Sequence, residues 1–272
     1  MEKLPLPEKH KVIKIGDNQA DIIIEPCYPG YGTTLGNALR RVLLSSLSGA
    51  AITTVKIKGV THEFSTLPGI KEDIVEILLN LKRIRFKLHA TDETKVTLKV
   101  KGEKNVKAKD IKLTSEVEVI NSDAEIATLS DKNAELEMEF TIKSGRGYLP
   151  VENIEKKKLI LGNIAIDAIF TPVKNVNFHI QNVRVGQMTN YDKLTLSITT
   201  DGSITPEESL KQAAQILLDH FQQLSILEEE NKEMPSEIAT KKEKDEKKDE
   251  NKNDIKEEAP KIKKKRGRPK KQ

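Results

Sequence analysis

The sequence runs to 272 residues, 36% of them hydrophobic and 32% charged, which allows one or two domains but is poorer in core-forming side chains than an average globular chain. Its single cysteine, Cys27, excludes an intramolecular disulfide and a cysteine-rich zinc site. No apolar run approaches the roughly 18 residues of a membrane span, and the first residues lack the continuous apolar core of a signal peptide. A soluble protein of the reducing cytoplasm is therefore expected. The net charge of +4 is unevenly spread: acids outnumber bases over 228–258, whereas every charge over 261–271 is positive.

Residues 11–15 and 20–25 read as strands separated by a Gly-Asp-Asn turn. After the loop Pro29-Gly30-Tyr31-Gly32, Thr33 or Thr34 is expected to cap a helix that runs to about Ser48 and ends at Gly49. Leu35, Ala38, Leu39, Val42, Leu43 and Leu47 fall at helical spacing on it, with Arg40 and Arg41 off that stripe. Ile52, Val55 and Ile57 open a β-rich region, and a second helix over 71–82 places Ile74, Ile77, Leu78 and Leu81 on one face. Strands follow at 84–88 and 95–100. Over 135–143 the chain alternates strictly, Leu136, Met138, Phe140 and Ile142 against Glu135, Glu137, Glu139 and Thr141, the pattern of a half-buried strand. Residues 145–148 turn the chain, and 175–185 pairs with 193–199. Thr205-Pro206-Glu207-Glu208 is a capping box with proline at the first helical position. The helix behind it carries Leu210, Ala213, Ala214, Leu217, Leu218, Phe221 and Leu224 at nearly heptad spacing. That stripe suits a partner helix and the chain's own sheet equally well. From 228 onward too few apolar residues remain to offset the entropy of ordering.

Chemistry-bearing motifs are scarce. Gly30-x-Gly32-x-x-x-Gly36 lies between a strand and a helix like a loosened dinucleotide fingerprint, but the next strand ends Lys56-Ile57-Lys58-Gly59 without the acid that holds a ribose. A tight turn and close packing of the helix at Gly36 is the better reading. The five histidines have neither metal-ligand spacing nor a triad context. Glu72-Asp73 and Glu207-Glu208 fall in first helical turns, where the helix dipole accounts for them. No catalytic residue and no metal ligand is assigned. Adjacent arginines on a helix are by default solvated, but Arg40 and Arg41 beside an apolar rim also suit a protein-docking surface. The basic end, with Arg266-Gly267-Arg268-Pro269 at its centre, resembles an AT-hook suited to the minor groove of A·T-rich DNA; the alternative is a solubilising tail with unspecific phosphate affinity. Two other classes also stay open on these residues: a free-standing architectural DNA-binding protein centred on that tail, and a small oxidoreductase using residues 30–36.

Tyr31-Gly32-Thr33-Thr34-Leu35-Gly36-Asn37-Ala38-Leu39-Arg40-Arg41-Val42-Leu43-Leu44-Ser45-Ser46 resembles the signature of the RNA polymerase alpha subunit family. So do Gly59-Val60-Thr61-His62-Glu63-Phe64-Ser65-Thr66, the stretch 71–82, Gly145-Arg146-Gly147-Tyr148-Leu149-Pro150, Asp167-Ala168 with Pro172-Val173, Asp192-Lys193-Leu194 and Thr205-Pro206-Glu207-Glu208. These blocks fall in family order over about 20–225.

The resemblance implies an α+β fold of two lobes: a discontinuous α/β dimerisation lobe of residues 1–48 and 171–228, and a β-rich insert lobe of residues 49–170. A charged tail over 229–272 is expected to be disordered. It implies a homodimer seam built from Leu35, Leu39, Val42, Leu43, Leu210, Leu217, Phe221 and Leu224. Contact with the beta subunit falls to Arg40, Arg41 and Leu44, and contact with beta-prime to Lys82 and Ile166. No cofactor is expected in this chain, because the catalytic magnesium belongs to beta-prime; omega and sigma join the assembled enzyme. The chain departs from the family pattern at its end, where 229–272 is too short and too polar for the usual helical carboxy-terminal domain. Arg266, Gly267, Arg268 and Pro269 are expected to supply a DNA tether in its place.

Overall fold

The computed structural model describes residues 5–7, 9–89, 93–154 and 162–226. The chain divides into two units, Met1–Phe221 and Gln222–Gln272; of the second, only residues 222–226 at the end of the last helix are described. The tail expected to be disordered lies outside the described residues.

The chain opens with β1 (Lys9–Gly16), β2 (Gln19–Cys27), α1 (Tyr31–Ser45), β3 (Ser48–Ile57) and α2 (Ile74–Leu81). Then come β4 (Phe86–Leu88), β5 (Thr94–Lys101), β6 (Lys104–Lys107), β7 (Ile111–Lys112), β8 (Val117–Val119) and β9 (Glu125–Leu129). After these lie β10 (Glu135–Arg146), β11 (Tyr148–Leu149), β12 (Asn163–Ala165), β13 (Ala168–Ile169), β14 (Val173–Val185), β15 (Met188–Thr200) and α3 (Pro206–Ile226). Both ends of the described chain build one four-stranded antiparallel sheet, ordered β1-β2-β15-β14. The middle builds a seven-stranded sheet, ordered β7-β5-β10-β3-β4-β8 with β12 also on β3. Two short pairs, β11 with β13 and β6 with β9, complete the β-structure of the described residues.

Each sheet has its own core. In the first, Ile22, Leu194, Leu196, Ile198 and Val176 meet Leu39, Leu43 and Leu47 from the region of α1 and Ala213 from α3. In the second, Ile74, Ile77 and Leu81 of α2 share one core with the inward side chains of β3, β5, β9 and β10. Strand β10 follows its sequence pattern closely. Leu136, Met138, Phe140 and Ile142 are all buried, each contributing roughly 1.5–3 kcal/mol of apolar burial. Its outward glutamates meet lysines across the strands: Glu137 with Lys58 (2.9 Å) and Lys99 (3.2 Å), Glu139 with Lys95 (3.1 Å), Glu135 with Lys101 (3.2 Å). Exposed pairs of this kind add little stability.

The two sheets are tied where the chain crosses between them. Gly49 approaches the backbone of Phe170 so closely that a Cβ would fall on the Phe170 carbonyl oxygen. Gly145 meets the ring of the same residue, 2.6 Å from where its Cβ would lie. The Arg85 guanidinium stands 3.8 Å from the Asp201 carboxylate and donates to the Ile169 carbonyl at 3.1 Å.

Several expected boundaries shift for local physical reasons. Helix α1 begins at Tyr31, ahead of the threonines, because Gly30 takes a left-handed φ of 84° and acts as its cap residue; neither Thr33 nor Thr34 caps it. It ends at Ser45, and Gly49 lies inside β3, where its role is close approach rather than helix termination. The second helix is shorter than 71–82: Asp73 is its N-cap and accepts from the Glu76 N–H at 2.7 Å. Glu72 precedes it and accepts from Thr128 N–H instead. Gly145 and Arg146 still belong to β10, and the turn falls at Gly147, φ 66°. The capping box of α3 is as expected, with Glu208 N–H on Thr205 Oγ1 (3.2 Å) and Thr205 N–H on Glu208 Oε2 (3.4 Å).

The crossing gives a paired prediction. Gly49→Ala should cost about 1–3 kcal/mol, because the obstructing atom is backbone and cannot swing aside. Gly16→Ala, with nothing within 4 Å of the added methyl, should stay within about 0.5 kcal/mol of the parent. Urea unfolding of both variants checks the difference.

Candidate subunit interface

The α1 sequence Tyr31–Ser45 presents two kinds of surface. Leu39 and Leu43 are buried in the chain's own core, at 7% and 0% exposure. Leu35 and Val42 are half-buried at the edge of that core. On the outward side Arg40 and Arg41 are exposed, and Leu44, one turn on, is 37% exposed. Three tyrosines stand edge to face at the start of the helix: Tyr28 lies 6.0 Å from Tyr31 and 6.1 Å from Tyr191, centroid to centroid. The expected close packing at Gly36 is present. A Cβ there would lie 2.7 Å from the Phe178 ring, so the glycine sets how near α1 can sit to β14.

Helix α3 divides along its length. Ala213 is fully buried, and Leu210, Ala214, Ile216 and Leu217 pack partly against the same core as α1. Further on, Leu218 (53%), Phe221 (61%) and Leu224 (59%) stand exposed. The nearly heptad stripe thus divides: its first half covers the chain's own sheet, and its second half stays largely exposed. Leu218 belongs to the stripe read from the sequence but not to the residues expected at the seam.

Of the residues the seam was expected to use, Leu39 and Leu43 have their side chains committed to the internal core. Leu35, Val42, Leu210 and Leu217 straddle its rim, and Phe221 and Leu224 are free. Lys82 and Ile166 also sit differently from simple surface contacts. Ile166 is 3% exposed and belongs to the core of the insert sheet. The Lys82 ammonium donates to Asp167 Oδ2 at 2.8 Å, and the Val151 N–H donates to Asp167 Oδ1 at 2.9 Å. These contacts, Lys82 foremost, hold the Asp167 carboxyl below its ordinary range. Asp167 is therefore the hub of this corner, although the sequence offers it only as part of a matching block. Arg266, Gly267, Arg268 and Pro269 lie outside the described residues.

Among the described residues no group of three His, Cys, Asp or Glu side chains is placed to hold a metal ion, and no helix is long and apolar enough to cross a membrane. The Gly30–Gly36 loop is not arranged around a nucleotide. The N–H groups of Gly30 and Gly32 both donate to Asp192 Oδ2, at 2.9 and 3.0 Å.

The Asp167 hub has a pH signature. A depressed carboxyl contributes stability that is complete above its unfolded value and is lost as the pH falls through its folded value. The stability gap between the parent and Asp167→Asn should therefore be full at neutral pH and close only below the ordinary value of 3.8. Denaturation of both proteins across acid pH measures it; a gap that closes between pH 5 and 7 would contradict the assignment.

Residues 55–171 match the family model described as the RNA polymerase Rpb3/RpoA insert domain. The chain is 47% identical over 232 residues to a DNA-directed RNA polymerase subunit alpha of Carboxydothermus hydrogenoformans, covering 85% of this chain and 73% of that protein. It is 46% identical over 244 residues to the same subunit of Alkaliphilus oremlandii, covering 88% and 76%. With that of Geobacter metallireducens it is 51% identical over 223 residues, covering 81% and 64%. At such identity, over most of its length and across both sheets, the chain belongs to the family of bacterial DNA-directed RNA polymerase alpha subunits.

Proposed function

We propose that the chain works as a homodimeric platform on which the beta and beta-prime subunits of RNA polymerase assemble. The observation that carries this reading is the exposed apolar row Leu218, Phe221 and Leu224 at the end of α3. About half of each such side chain is still exposed, so covering it with a second copy contributes on the order of 1 kcal/mol apiece, and heptad-like spacing suits a partner helix. Leu35, Val42, Leu210 and Leu217 would border that seam, and Leu39 and Leu43 would support it from beneath. Residues 1–48 and 171–228 then form the dimerisation lobe and 49–170 the insert lobe.

In this reading Arg40, Arg41 and Leu44 face the beta subunit, offering forked donors beside an apolar side chain. Lys82 and Ile166 serve beta-prime recruitment, Ile166 by supporting the surface from within. The catalytic magnesium and its ligands belong to beta-prime, and omega and sigma join the assembled enzyme in the cytoplasm. The basic run centred on Arg266, Gly267, Arg268 and Pro269 adds a DNA tether, raising the local concentration of DNA at the platform through a polar linker.

Three measurements test these assignments. Phe221→Asp should leave the monomer folded, because the side chain is exposed, and should weaken dimerisation by about a hundredfold or more by placing a charge in the seam. Gel filtration with light scattering reads this, and an unchanged dimer would contradict the seam. Arg41→Ala should keep the dimer and weaken capture of the beta subunit by about tenfold or more; normal capture would remove Arg41 from the docking face. Anisotropy with A·T-rich and G·C-rich duplexes should show tighter binding of the former by the full chain, lost on deleting 261–272. Equal binding of both duplexes would leave only unspecific phosphate affinity.

A further inference from the structure

We propose that Asp192 is the positioning residue of α1: its carboxylate occupies the anion site built by Gly30 and Gly32 and thereby sets the face that carries Arg40, Arg41 and Leu44. The proposal rests on the platform reading above and names the group that orients its docking helix.

The first N–H groups of a helix have no intrahelical acceptor and need one from elsewhere. Helix α1 has no side-chain cap of its own, since its cap residue is Gly30. Asp192 supplies the acceptor from β15, far along the chain, with one oxygen taking both the Gly30 N–H at 2.9 Å and the Gly32 N–H at 3.0 Å. Asp192 is only 7% exposed. Its carboxylate lies at the positive end of the helix dipole, in charge-assisted hydrogen bonds. The fit is close: a Cβ on Gly32 would lie 2.9 Å from both Asp192 Cβ and Oδ2. A glycine-rich turn leading into a helix is the usual cradle for a bound phosphate. Here the chain fills that cradle with its own anion, which gives the loosened fingerprint a structural purpose. The second fixed point is steric, at Gly36 against Phe178. Between them, the carboxylate on β15 and the ring on β14 determine where α1 lies on the sheet, and so where its outward arginines point.

Asp192→Ala in the full-length chain removes the anion and leaves a gap the size of a small carboxylate. Amide hydrogen exchange over 32–36 should then speed up about tenfold, as for a lost cap, and capture of the beta subunit should fall with it. About 0.1 M formate should reverse both effects, whereas chloride at the same ionic strength should not. Unchanged exchange, or equal action of the two anions, would overturn the clamp. Altered, formate-sensitive exchange with capture at the parent level would overturn the positioning role. Asp192→Asn keeps the shape and an acceptor oxygen without the charge, so it remains readable if the alanine variant does not fold; exchange between parent and alanine levels is expected, and parent-like exchange would overturn the role of the charge. An unsubstituted chain that captures no beta subunit would instead fail the platform reading, and the exchange and formate results would still judge the clamp.

Discussion

Helix α3 carries apolar side chains farther than its own sheet reaches. Its residues, Pro206–Ile226, span roughly 30 Å at about 1.5 Å per residue. Leu210, Ala213, Ala214 and Leu217 cover the sheet beside α1, but Leu218, Phe221 and Leu224 extend beyond that cover. A helix can satisfy such a surplus only by finding more apolar surface, and a contiguous exposed patch of this kind is a common mark of a protein-binding site. The platform reading follows from that imbalance more than from any single contact.

A platform must also hold its docking faces in fixed relation. The crossing at Gly49 and Phe170 allows almost no change in how β3 enters the second sheet, and Arg85 with Asp201 and the Ile169 carbonyl reinforces the same region. Asp167 does comparable work for the turn after β11, binding Lys82 on one side and the Val151 N–H on the other. Asp192 does it for α1. In each place a group distant in sequence fixes a local element, so that surface residues inherit their orientation from contacts that are themselves partly or wholly buried.

That division explains what could be read from the sequence. Elements with a long periodic signal were legible: the strict alternation of β10, the α3 capping box and the apolar face of α2 all appear where pattern places them. Short strands such as β6, β7 and β8 were not, because two to four residues carry too little alternation to separate from loop. The start of α1 was misplaced because its cap is a backbone conformation at Gly30 with a carboxylate supplied by β15, and neither leaves a trace among neighbouring residues. The arginines of the candidate docking face were visible by type. The burial of Leu39, Leu43 and Ile166 was not, since periodicity marks a face as apolar without saying whether it meets the chain itself or another.

Sedimentation equilibrium of the unsubstituted chain over a range of micromolar concentrations bears most directly on the central claim. The account predicts a species of twice the chain mass that gives way to the single chain only on strong dilution. A single-chain mass at every concentration would contradict it, because the surplus apolar length of α3 would then have no second copy to cover it.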